Sequence, residues 1–316
     1  MALVQPLIVH WNGETWRRVD APNRDVVESD GRAAGGIFLR DVHATAPDDV
    51  WAVGGSGDIP VIQHWDGTDW SVVDSPEIRG LVNGTLSAVT ATAPDDAWAV
   101  GTGGSGVLVL EHWDGARWTA QEFDEVDPRS SSLEDVDALS PNDAWAVGNS
   151  WDRPLILHWD GRRWSRSVMP FVPYTRITGV DALGPEDAWA VGTTYADIPG
   201  RLPARPLLAR WDGTAWNVVP EEALPPLPAS AAAHDVVAVA PQDVWVRGSQ
   251  FDDNGSSRPL VLHFDGEAWT EVPAPDWGPG GSLSALAATE DVQWLVGGAG
   301  THLATPFAAR RCARPT

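Results

Sequence analysis

Two short stretches, Ala93–Gly101 (Ala-Pro-Asp-Asp-Ala-Trp-Ala-Val-Gly) and His112–Trp118 (His-Trp-Asp-Gly-Ala-Arg-Trp), recur along the whole 316-residue chain. Copies of the first stretch follow one another at intervals of about 44 to 56 residues. Such an interval, filled with short apolar runs and turn residues, is typical of repeat architectures in which neighbouring units share a core. The central aromatic residue of the first stretch is Trp51, Trp98, Trp145, Trp189, Trp245 or Trp294, and that of the second is Trp11, Trp65, Trp113, Trp159, Trp211 or Phe264.

Each repeat predicts four β-strands, which we call A to D. Strand A is the apolar, β-branched run 86–93, and Pro94-Asp95-Asp96 follows as a tight turn because Pro presets φ and Asp bonds nearby backbone. The Trp-Ala-Val run is strand B, and residues 107–113 are strand C. Asp114-Gly115 then turns the chain into strand D near Trp118, as expected for a hairpin between apolar segments. Since no stretch keeps a helical period, the sequence predicts an all-β fold, a β-propeller.

The two ends of the chain hold half repeats. Strands C and D occur alone in Leu7–Val19, and strands A and B occur alone in Leu283–Ala288 and Val292–Gly297. We therefore expect the amino-terminal C–D hairpin to close the last blade, which gives a six-bladed β-propeller of four-stranded antiparallel blades. Residues Pro306–Arg311 resemble another strand C, so they are a tail, a fifth strand or part of an incomplete seventh blade. Seven blades are the alternative.

Charge excludes several classes of partner. The chain has 44 acidic and 21 basic residues, all of the latter Arg, for a formal net charge of -23. Such a surface repels phosphate backbones and anionic lipids, so we expect neither nucleic acid nor a membrane as a partner. Because the chain has no Lys, Schiff-base catalysis by a lysine is excluded as well.

The single cysteine and the amino terminus bear on location. Cys312 has no partner for an internal disulfide, and Met1–Val9 lacks a basic region followed by a long apolar run. We therefore expect a cytoplasmic protein without a signal peptide or a transmembrane segment. The repeat runs through residues 1–316 without a linker, so we expect a single β-propeller domain, and a monomer. A composition rich in Arg, Ala, Gly and Trp is typical of GC-rich bacterial genes.

Trp-Ala-Val-Gly followed by His-Trp-Asp-Gly-x-x-Trp resembles the bacterial repeat propellers related to Asp-box (sialidase-type) repeats and to photosystem II assembly factors. The resemblance covers nearly the whole chain and implies the fold. In an Asp-box the Asp stands one residue further from the Gly, whereas here Asp66 and Gly67 are adjacent. The arginine triad and the tyrosine–carboxylate pair of a sialidase have no matching motif, since Tyr174 and Tyr195 are the only tyrosines. The copper site of galactose-oxidase-like propellers has no counterpart near Cys312 either, so the resemblance implies no activity.

Residues that recur in every copy are interpreted as structural. Seventeen of the 19 Trp residues occupy repeat positions, and we expect them in the core or in turns. The His before the Asp-Gly turn and the last Asp of the A–B turn recur in the same way, so we interpret them as packing and turn-capping residues rather than metal ligands. They are His10, His64, His112, His158 and His263, and Asp49, Asp96, Asp143, Asp187, Asp243 and Asp291.

Arg247 is the clearest exception to the repeat. It stands where the other copies of strand B have Val, a position expected between blades, and a buried guanidinium needs a carboxylate or an anionic ligand. Counting back through the A–B turn places Arg247 opposite Val236 and on the same face as His234. Two interpretations stay open: a structural salt bridge, or a site near the variable loops.

A second set of exceptions lies at the start of strand A, where the aligned residues are polar but differ from blade to blade. Such a column fits a single asymmetric pocket at the propeller axis, and it also fits a solvated channel. Carboxylates one and three residues further on are candidates for Ca²⁺ binding in the central channel or for acid–base chemistry, although we favour channel walls and predict no cofactor. The column is Arg40, Ser87, Glu134, Thr178, His234 and Ser284, and the carboxylates are Asp41, Asp135, Asp137, Asp181 and Asp235.

Aromatic residues outside the repeat complete the candidate site. Trp151 and Trp277 fall in variable B–C and D–A connections, and both kinds of connection emerge on the same face of the propeller. An aromatic-lined mouth over polar groups is the usual composition of a small-molecule site. The predicted substrate-binding residues are Trp151, Tyr174, Arg176, Tyr195, Phe251 and Trp277.

The residues favour one asymmetric small-molecule site used by a non-redox enzyme: a hydrolase, lyase, isomerase or cyclase of bacterial specialised metabolism. In this hypothesis His234 or Glu134 is the acid–base group, and Arg40, Arg176 or Arg247 holds an anionic substrate. The alternative is a non-catalytic binding module, either a glycan-binding lectin or a scaffold for a protein partner. A symmetric lectin would repeat its sugar-binding groups, which these loops do not, whereas a scaffold fits the long Pro-rich connections.

Overall fold

The computed structural model describes residues 6–22, 36–57, 59–76, 84–121, 123, 130–151, 153–170, 172–196, 203–251, 256–274, 281–289, 292–299 and 305–312. Within them 69% of the residues lie in β-strands, and short 3₁₀ helices occur at Gly104–Gly106 and Glu221–Ala223. The strands form successive antiparallel sheets, and the chain is an all-β, six-bladed β-propeller, which confirms the fold class predicted from the repeat. In the described part of the chain, no helix is long and apolar enough to cross a membrane.

Internal contacts divide the chain into two compact units, Met1–Ala146 with Trp159–Trp164, and Val147–His158 with Ser165–Thr316. The first unit contains a two-stranded hairpin and two complete blades, of order β3-β4-β5-β6 and β7-β8-β9-β10. Their strands are β1 (Ile8–Trp11), β2 (Trp16–Val19), β3 (Phe38–Ala46), β4 (Asp49–Ser56), β5 (Ile59–Trp65), β6 (Trp70–Val73), β7 (Gly84–Ala93), β8 (Asp96–Gly103), β9 (Leu108–Trp113) and β10 (Trp118–Ala120). That the whole chain is one domain stays a prediction.

The third sheet has the order β11-β12-β13-β14, and the second unit holds sheets of order β15-β16-β17-β18, β19-β20-β21-β22 and β23-β24-β25. The strands of the third and fourth sheets are β11 (Ser131–Ser140), β12 (Asp143–Ser150), β13 (Arg153–Trp159), β14 (Trp164–Ser167), β15 (Thr175–Gly184), β16 (Asp187–Tyr195), β17 (Ala204–Trp211) and β18 (Trp216–Val218). Those of the last two are β19 (Ser230–Ala240), β20 (Asp243–Phe251), β21 (Ser257–Phe264), β22 (Trp269–Glu271), β23 (Ser282–Ala288), β24 (Val292–Ala299) and β25 (Thr305–Cys312).

The last sheet takes its third strand from the carboxyl terminus. β25 pairs with β24, from Val292 opposite Cys312 to Ala299 opposite Thr305, in the place that the sequence assigned to the amino-terminal hairpin. In that hairpin β1 and β2 pair with each other. Residues Pro306–Arg311, for which the sequence left three interpretations open, therefore lie in this third strand. A strand that follows its partner after a short connection loses less loop entropy on pairing than one from the other end of the chain.

The C–D turns form as the Asp-Gly signal predicts. In the second blade Asp114 Oδ1 accepts hydrogen bonds from the backbone N–H groups of Arg117 and Ala116, both at 2.9 Å. Gly115 has a φ of +86°, which a residue without Cβ adopts at little cost. The N–H bonds from Arg117 and Ala116 favour the charged carboxylate, so they hold the pKa of Asp114 below its ordinary value.

The Trp of strand B packs against Trp residues of the following blade. Trp98 has no solvent exposure, and its ring centroid lies 5.0 Å from those of both Trp159 and Trp164. The Trp51 ring lies 5.1 Å from each ring of the corresponding pair in the second blade. Aromatic pairs at these distances bury a large apolar area and gain about 1 kcal/mol beyond it. These recurring Trp residues form core between blades, as the repeat indicates.

The His and Asp of the repeat bind each other. In the second blade His112 Nε2 lies 2.7 Å from Asp96 Oδ1, and Thr92 donates to the other carboxylate oxygen. The hydrogen bonds described for Asp96 therefore join it to the side chains of His112 and Thr92. A turn-capping Asp, as the sequence suggested, would accept hydrogen bonds from backbone N–H groups. The fourth blade has Arg210 in place of His, and its Nε and Nη2 both donate to Asp187 at 2.7 Å. Such pairs fasten strand B to strand C.

Candidate functional site

The polar column at the start of strand A coincides with a β-bulge. In five blades the pairing between strand A, the inner strand of the blade, and strand B shifts by one residue at this place. One extra residue of strand A therefore stands outside the ladder. The extra residue has no cross-strand partner to match, which explains why its identity varies from blade to blade. These residues are Arg40 in β3, Ser87 in β7, Thr178 in β15, His234 in β19 and Ser284 in β23.

The Gly of Trp-Ala-Val-Gly lies beside the bulge. A Cβ added to Gly101 would lie 2.1 Å from the Thr85 carbonyl oxygen, and one added to Gly248 would lie 2.0 Å from the Ala232 carbonyl oxygen. No side chain tolerates such a distance, so strand A can approach strand B here only because the residue is Gly. The repeat itself therefore encodes the bulge.

The bulge corrects the position expected for Arg247. Arg247 pairs with Asp235 and not with Val236, because the extra residue His234 shifts the register by one. Its Nε donates to Asp235 Oδ2 at 3.0 Å, with 19% of the Arg247 side chain and 27% of the Asp235 side chain exposed. The salt bridge, one of the two interpretations left open by the sequence, is formed.

In the third and fourth blades, the residue after this Gly makes hydrogen bonds with strand A of the next blade. In the second unit the Asn149 side chain donates to the Ile177 carbonyl oxygen at 3.2 Å and accepts from the Ile177 N–H at 3.0 Å. Thr193 Oγ1 donates to the Ala233 carbonyl oxygen at 3.1 Å. Ile177 and Ala233 each directly precede a bulged residue, so both side chains fasten the same point of the neighbouring inner strand.

The fifth blade makes this contact differently. The residue after Gly248 is Ser249, and its hydroxyl lies 3.1 Å from His234 Nε2 within the same blade. Arg247 Nη1 donates instead to the carbonyl oxygen of Leu283, the residue before the bulge of β23, at 3.4 Å. In this blade Arg247, and not the residue after the Gly, therefore makes the hydrogen bond to the next blade, and Ser249 is hydrogen-bonded to His234.

His234 is held as a neutral base. Burial disfavours the imidazolium and lowers the pKa of His234, and the positive charge of Arg247 lowers it further. The neutral imidazole therefore dominates at pH 7, where it can accept a proton. Because His234 and Ser249 are both half-buried, the fifth blade presents a hydroxyl within hydrogen-bond reach of a neutral base.

The other two predicted catalytic residues belong to the first unit. Arg40 and Glu134 are both exposed, and Glu134 Oε1 accepts a hydrogen bond from Ser132 Oγ at 2.8 Å. Their participation in a site with His234 stays a prediction.

The predicted channel carboxylates accept hydrogen bonds from backbone N–H groups. Asp41 Oδ2 accepts from an N–H of β7 at 2.8 Å, and Asp181 Oδ2 accepts from one of β19 at 2.9 Å, so both join the inner strands of neighbouring blades. Asp135 and Asp235 each accept from the N–H of the next residue at 2.9 Å. Part of the hydrogen-bonding capacity of these carboxylates is therefore used by the fold itself.

The remaining carboxylate, Asp137, lies near His43. Burial lowers the pKa of His43, and the negative charge of Asp137 only partly opposes that effect. Across the described ranges no three His, Cys, Asp or Glu side chains are arranged to hold a metal ion. The Ca²⁺ site considered from the sequence thus has no ligand set among those residues.

Two of the predicted ligand-binding aromatics have left-handed backbones. Trp151 has a φ of 59° and is 63% exposed, and Tyr174 has a φ of 54° and is 39% exposed. This region crowds Cβ against the backbone and costs a bulky residue about 1 to 2 kcal/mol. Burial of the side chain does not offset that cost at these exposures. Strain of this kind is concentrated at functional sites.

Trp151 and Tyr174 leave the fold at the same end of the second unit. The contact between Asn149 and Ile177 holds the end of β12 beside the start of β15. Trp151 is two residues beyond Asn149 and Tyr174 is three residues before Ile177, so even a fully extended chain would place them at most about 7 Å and about 10 Å away. The two exposed rings therefore stand on adjoining connections.

Backbone contacts continue this end as far as Phe251. The Tyr195 N–H donates to the Tyr174 carbonyl oxygen at 3.0 Å, and Tyr195 pairs with Ala204. The Ala204 N–H donates to Ser230 Oγ at 3.0 Å, and Ser230 pairs with Phe251. We call the end of the second unit that carries Trp151, Tyr174, Tyr195 and Phe251 the aromatic rim.

Polar groups accompany the aromatic rim. Arg176, two residues after Tyr174, is exposed on β15. A cavity of about 310 Å³ is lined by the start of β17, by Glu221 and Glu222, and by the Leu-Pro-Pro-Leu segment 224–227. Within it Arg205 Nε donates to Glu221 at 2.9 Å. The sixth predicted ligand-binding residue, Trp277, lies outside the described residues.

Sequence reasoning missed Ser249 and Asn149. Both occupy the position after the Gly of strand B, where the chain has Gly55, Thr102, Asn149, Thr193, Ser249 and Gly298. That position varies among Gly and small polar residues beside a repeat that otherwise hardly changes. The variation was a usable signal, because a strand residue that changes while its neighbours stay fixed is not needed by the ladder.

No protein-family model and no curated protein sequence matches the chain. Similar solved structures are β-propellers. YCF48 bound to a D1 peptide is 17% identical over 84% of this chain and 77% of its own, with a TM-score of 0.55. A six-bladed fucose-recognising lectin from Aleuria aurantia is 14% identical over 85% and 91%, with a TM-score of 0.56. A PL25 ulvan lyase is 8% identical over 91% and 84%, with a TM-score of 0.56. At these identities the similarity shows the fold alone.

Proposed function

We propose that the protein binds a small saccharide at the aromatic rim of the second unit. The observation that carries this proposal is the pair of exposed aromatics with left-handed backbones, Trp151 and Tyr174, on adjoining connections. An exposed indole in an unfavourable backbone conformation adds little to the core. A contact with a molecule outside the chain gives it a role.

A saccharide suits this surface chemically. The C–H face of a pyranose is apolar and packs against the flat face of an aromatic ring, while its hydroxyl groups need polar partners. Tyr174 and Tyr195 bring phenol groups to the rim, and Arg176 brings an exposed guanidinium. Because a guanidinium forms paired hydrogen bonds with planar anions, Arg176 favours a saccharide that carries a carboxylate.

The rim supports one asymmetric site rather than one site per blade. Trp151 and Tyr174 stand in connections whose residues do not recur in the other blades, whereas the recurring polar residues are occupied in turns and in strand-to-strand pairs. This favours the binding-module alternative of the sequence analysis in a single-site form. A protein partner is the competing occupant.

Binding is tested on an array of neutral and acidic saccharides, followed by calorimetric titration of the best binder. Trp151→Ala should raise Kd roughly tenfold, since loss of one stacked ring removes about 1.4 kcal/mol. The matched control is Trp16→Ala, which removes another exposed indole, from the first unit, and should leave Kd unchanged. If no saccharide binds, or if folded Trp151→Ala binds as tightly as wild type, the proposal is wrong.

A further inference from the structure

We propose that Ser249 and His234 form a nucleophile–base pair that cleaves carboxylic esters of small molecules. Ser249 Oγ lies 3.1 Å from His234 Nε2, the separation at which a serine hydroxyl can pass its proton to an imidazole. Both side chains are half-buried, so each keeps part of its surface accessible to solvent. This activity does not rest on saccharide binding at the aromatic rim.

The pair is confined to one blade. No other blade combines an imidazole at the bulge with a hydroxyl after the Gly of strand B. A pair needed only for folding would recur with the repeat, as Asp96 and His112 do. The corresponding pairs elsewhere are Arg40 with Gly55, Ser87 with Thr102, Glu134 with Asn149, Thr178 with Thr193 and Ser284 with Gly298.

Neighbouring contacts leave the pair available. Arg247 bonds to Asp235 and to the Leu283 carbonyl oxygen, so the fastening contact between blades does not need Ser249. Gly179 of the preceding blade lies so close that an added Cβ would be 2.9 Å from Asp235 Cα and 3.3 Å from the His234 carbonyl oxygen. The strand that carries the base is therefore held firmly, and bulges of this kind often re-aim side chains beside active sites.

The reaction uses groups that the fifth blade holds. Ser249 Oγ attacks the ester carbonyl carbon while its proton passes to His234 Nε2, and the carbonyl π electrons move to oxygen. When the tetrahedral species collapses, the C–O bond to the alcohol breaks and the alcohol takes the proton from His234. His234 then deprotonates a water molecule, which attacks the carbonyl carbon of the acyl-serine. The C–Oγ bond breaks as Ser249 Oγ takes the proton back from His234, and the carboxylic acid is released.

The experiment measures covalent labelling of the full-length protein by diisopropyl fluorophosphate, read by intact mass and peptide mapping. In this probe Ser249 Oγ forms a bond to phosphorus, fluoride leaves, and the serine proton goes to His234. We expect one adduct, on Ser249, and hydrolysis of p-nitrophenyl acetate that disappears when the adduct forms. His234→Gln keeps a hydrogen-bonding side chain but cannot act as the base, so labelling should slow by about 100-fold or more.

Controls separate the pair from general serine reactivity. Ser249→Ala should abolish the adduct, whereas Ser87→Ala, at the bulge of the second blade, should keep the wild-type rate. Since burial lowers the pKa of His234, the wild-type labelling rate should fall only below the ordinary histidine range, a readout that does not depend on any variant folding. Absence of an adduct on Ser249, or an unchanged rate in folded His234→Gln, overturns the proposal; neither result bears on saccharide binding.

Discussion

Glu111→Gln is expected to stabilise the protein above neutral pH and to change little in acid. The Glu111 side chain is completely buried in β9; its Oε1 accepts a hydrogen bond from Ser75 Oγ at 2.7 Å, and its Oε2 has no partner among the described residues. Burial raises the pKa of Glu111 from 4.5 to about 7, and the Ser75 hydrogen bond opposes that effect only in part.

Stability should fall as the pH rises through this range. Between pH 4.5 and about pH 7 the folded protein keeps the Glu111 proton that the unfolded chain has lost, so the stabilisation is complete below pH 4.5 and is lost by the time the pH passes 7. At 1.36 kcal/mol per pH unit, the loss amounts to about 3 kcal/mol. Gln keeps a hydrogen-bonding partner for Ser75 and cannot ionise. The first blade already has a completely buried Gln63 at the corresponding place in β5.

Urea unfolding followed by tryptophan fluorescence measures this effect at pH values from 4.5 to above 7. The difference in free energy of unfolding between Glu111→Gln and wild type should grow by about 3 kcal/mol across the range. Glu186→Gln removes an exposed carboxylate from an A–B turn and should follow the wild-type pH dependence. If Glu111→Gln also runs parallel to wild type, Glu111 is ionised in the folded protein throughout, and the reasoning is refuted.

Two further predictions concern the salt bridge of Arg247 and the close approach of strands A and B beside the bulge. Arg247→Val should lower the free energy of unfolding by about 2 kcal/mol because Asp235 loses its charged partner. Adding Asp235→Ala should restore part of it, since the second blade has Ala and Val at these places, while the hydrogen bond to the Leu283 carbonyl oxygen stays lost. A double-mutant cycle with no coupling energy would contradict the pairing. Gly101→Ala should cost about 3 kcal/mol, because its Cβ meets a carbonyl oxygen. Gly184→Ala, where nothing lies within 4 Å of the added Cβ, should leave the melting temperature nearly unchanged, so equal effects would speak against the close approach.

The fold could be predicted because its signals are local and repeated. The Pro-Asp-Asp turn, the Trp-Ala-Val run and the Asp-Gly turn each fix a strand end, and they recur in the same order in successive copies. The last sheet could not be assigned in the same way. The run 305–312 lacks the Asp-Gly turn, and the amino-terminal hairpin carries a better match to strand C. Which of them pairs with β24 depends on chain connectivity, which a strand pattern does not contain.

The site was predictable only in part. Trp151 and Tyr174 could be singled out because they fall outside the repeat, but their left-handed backbones could not. Arg247 was predicted opposite Val236 because the residues were counted as if the pairing between strands A and B were regular, whereas it pairs with Asp235. The Gly that recurs inside strand B was a signal of a bulge or a close approach. The contact of Ser249 with His234 depends on how a bulge turns one side chain, and the burial of Glu111 depends on the Ser75 connection that covers it.

The bulge gives this repeat a place where duplicated blades can diverge without refolding. A substitution at the extra residue leaves every ladder hydrogen bond intact, so copies that began identical can accumulate different side chains there while their frame is preserved. The same property makes the chain suitable for protein engineering. Ser87 of the second blade, combined with Thr102 after the Gly of that blade, forms a two-residue cassette in which a new catalytic or metal-binding pair can be installed while the fifth blade keeps its own.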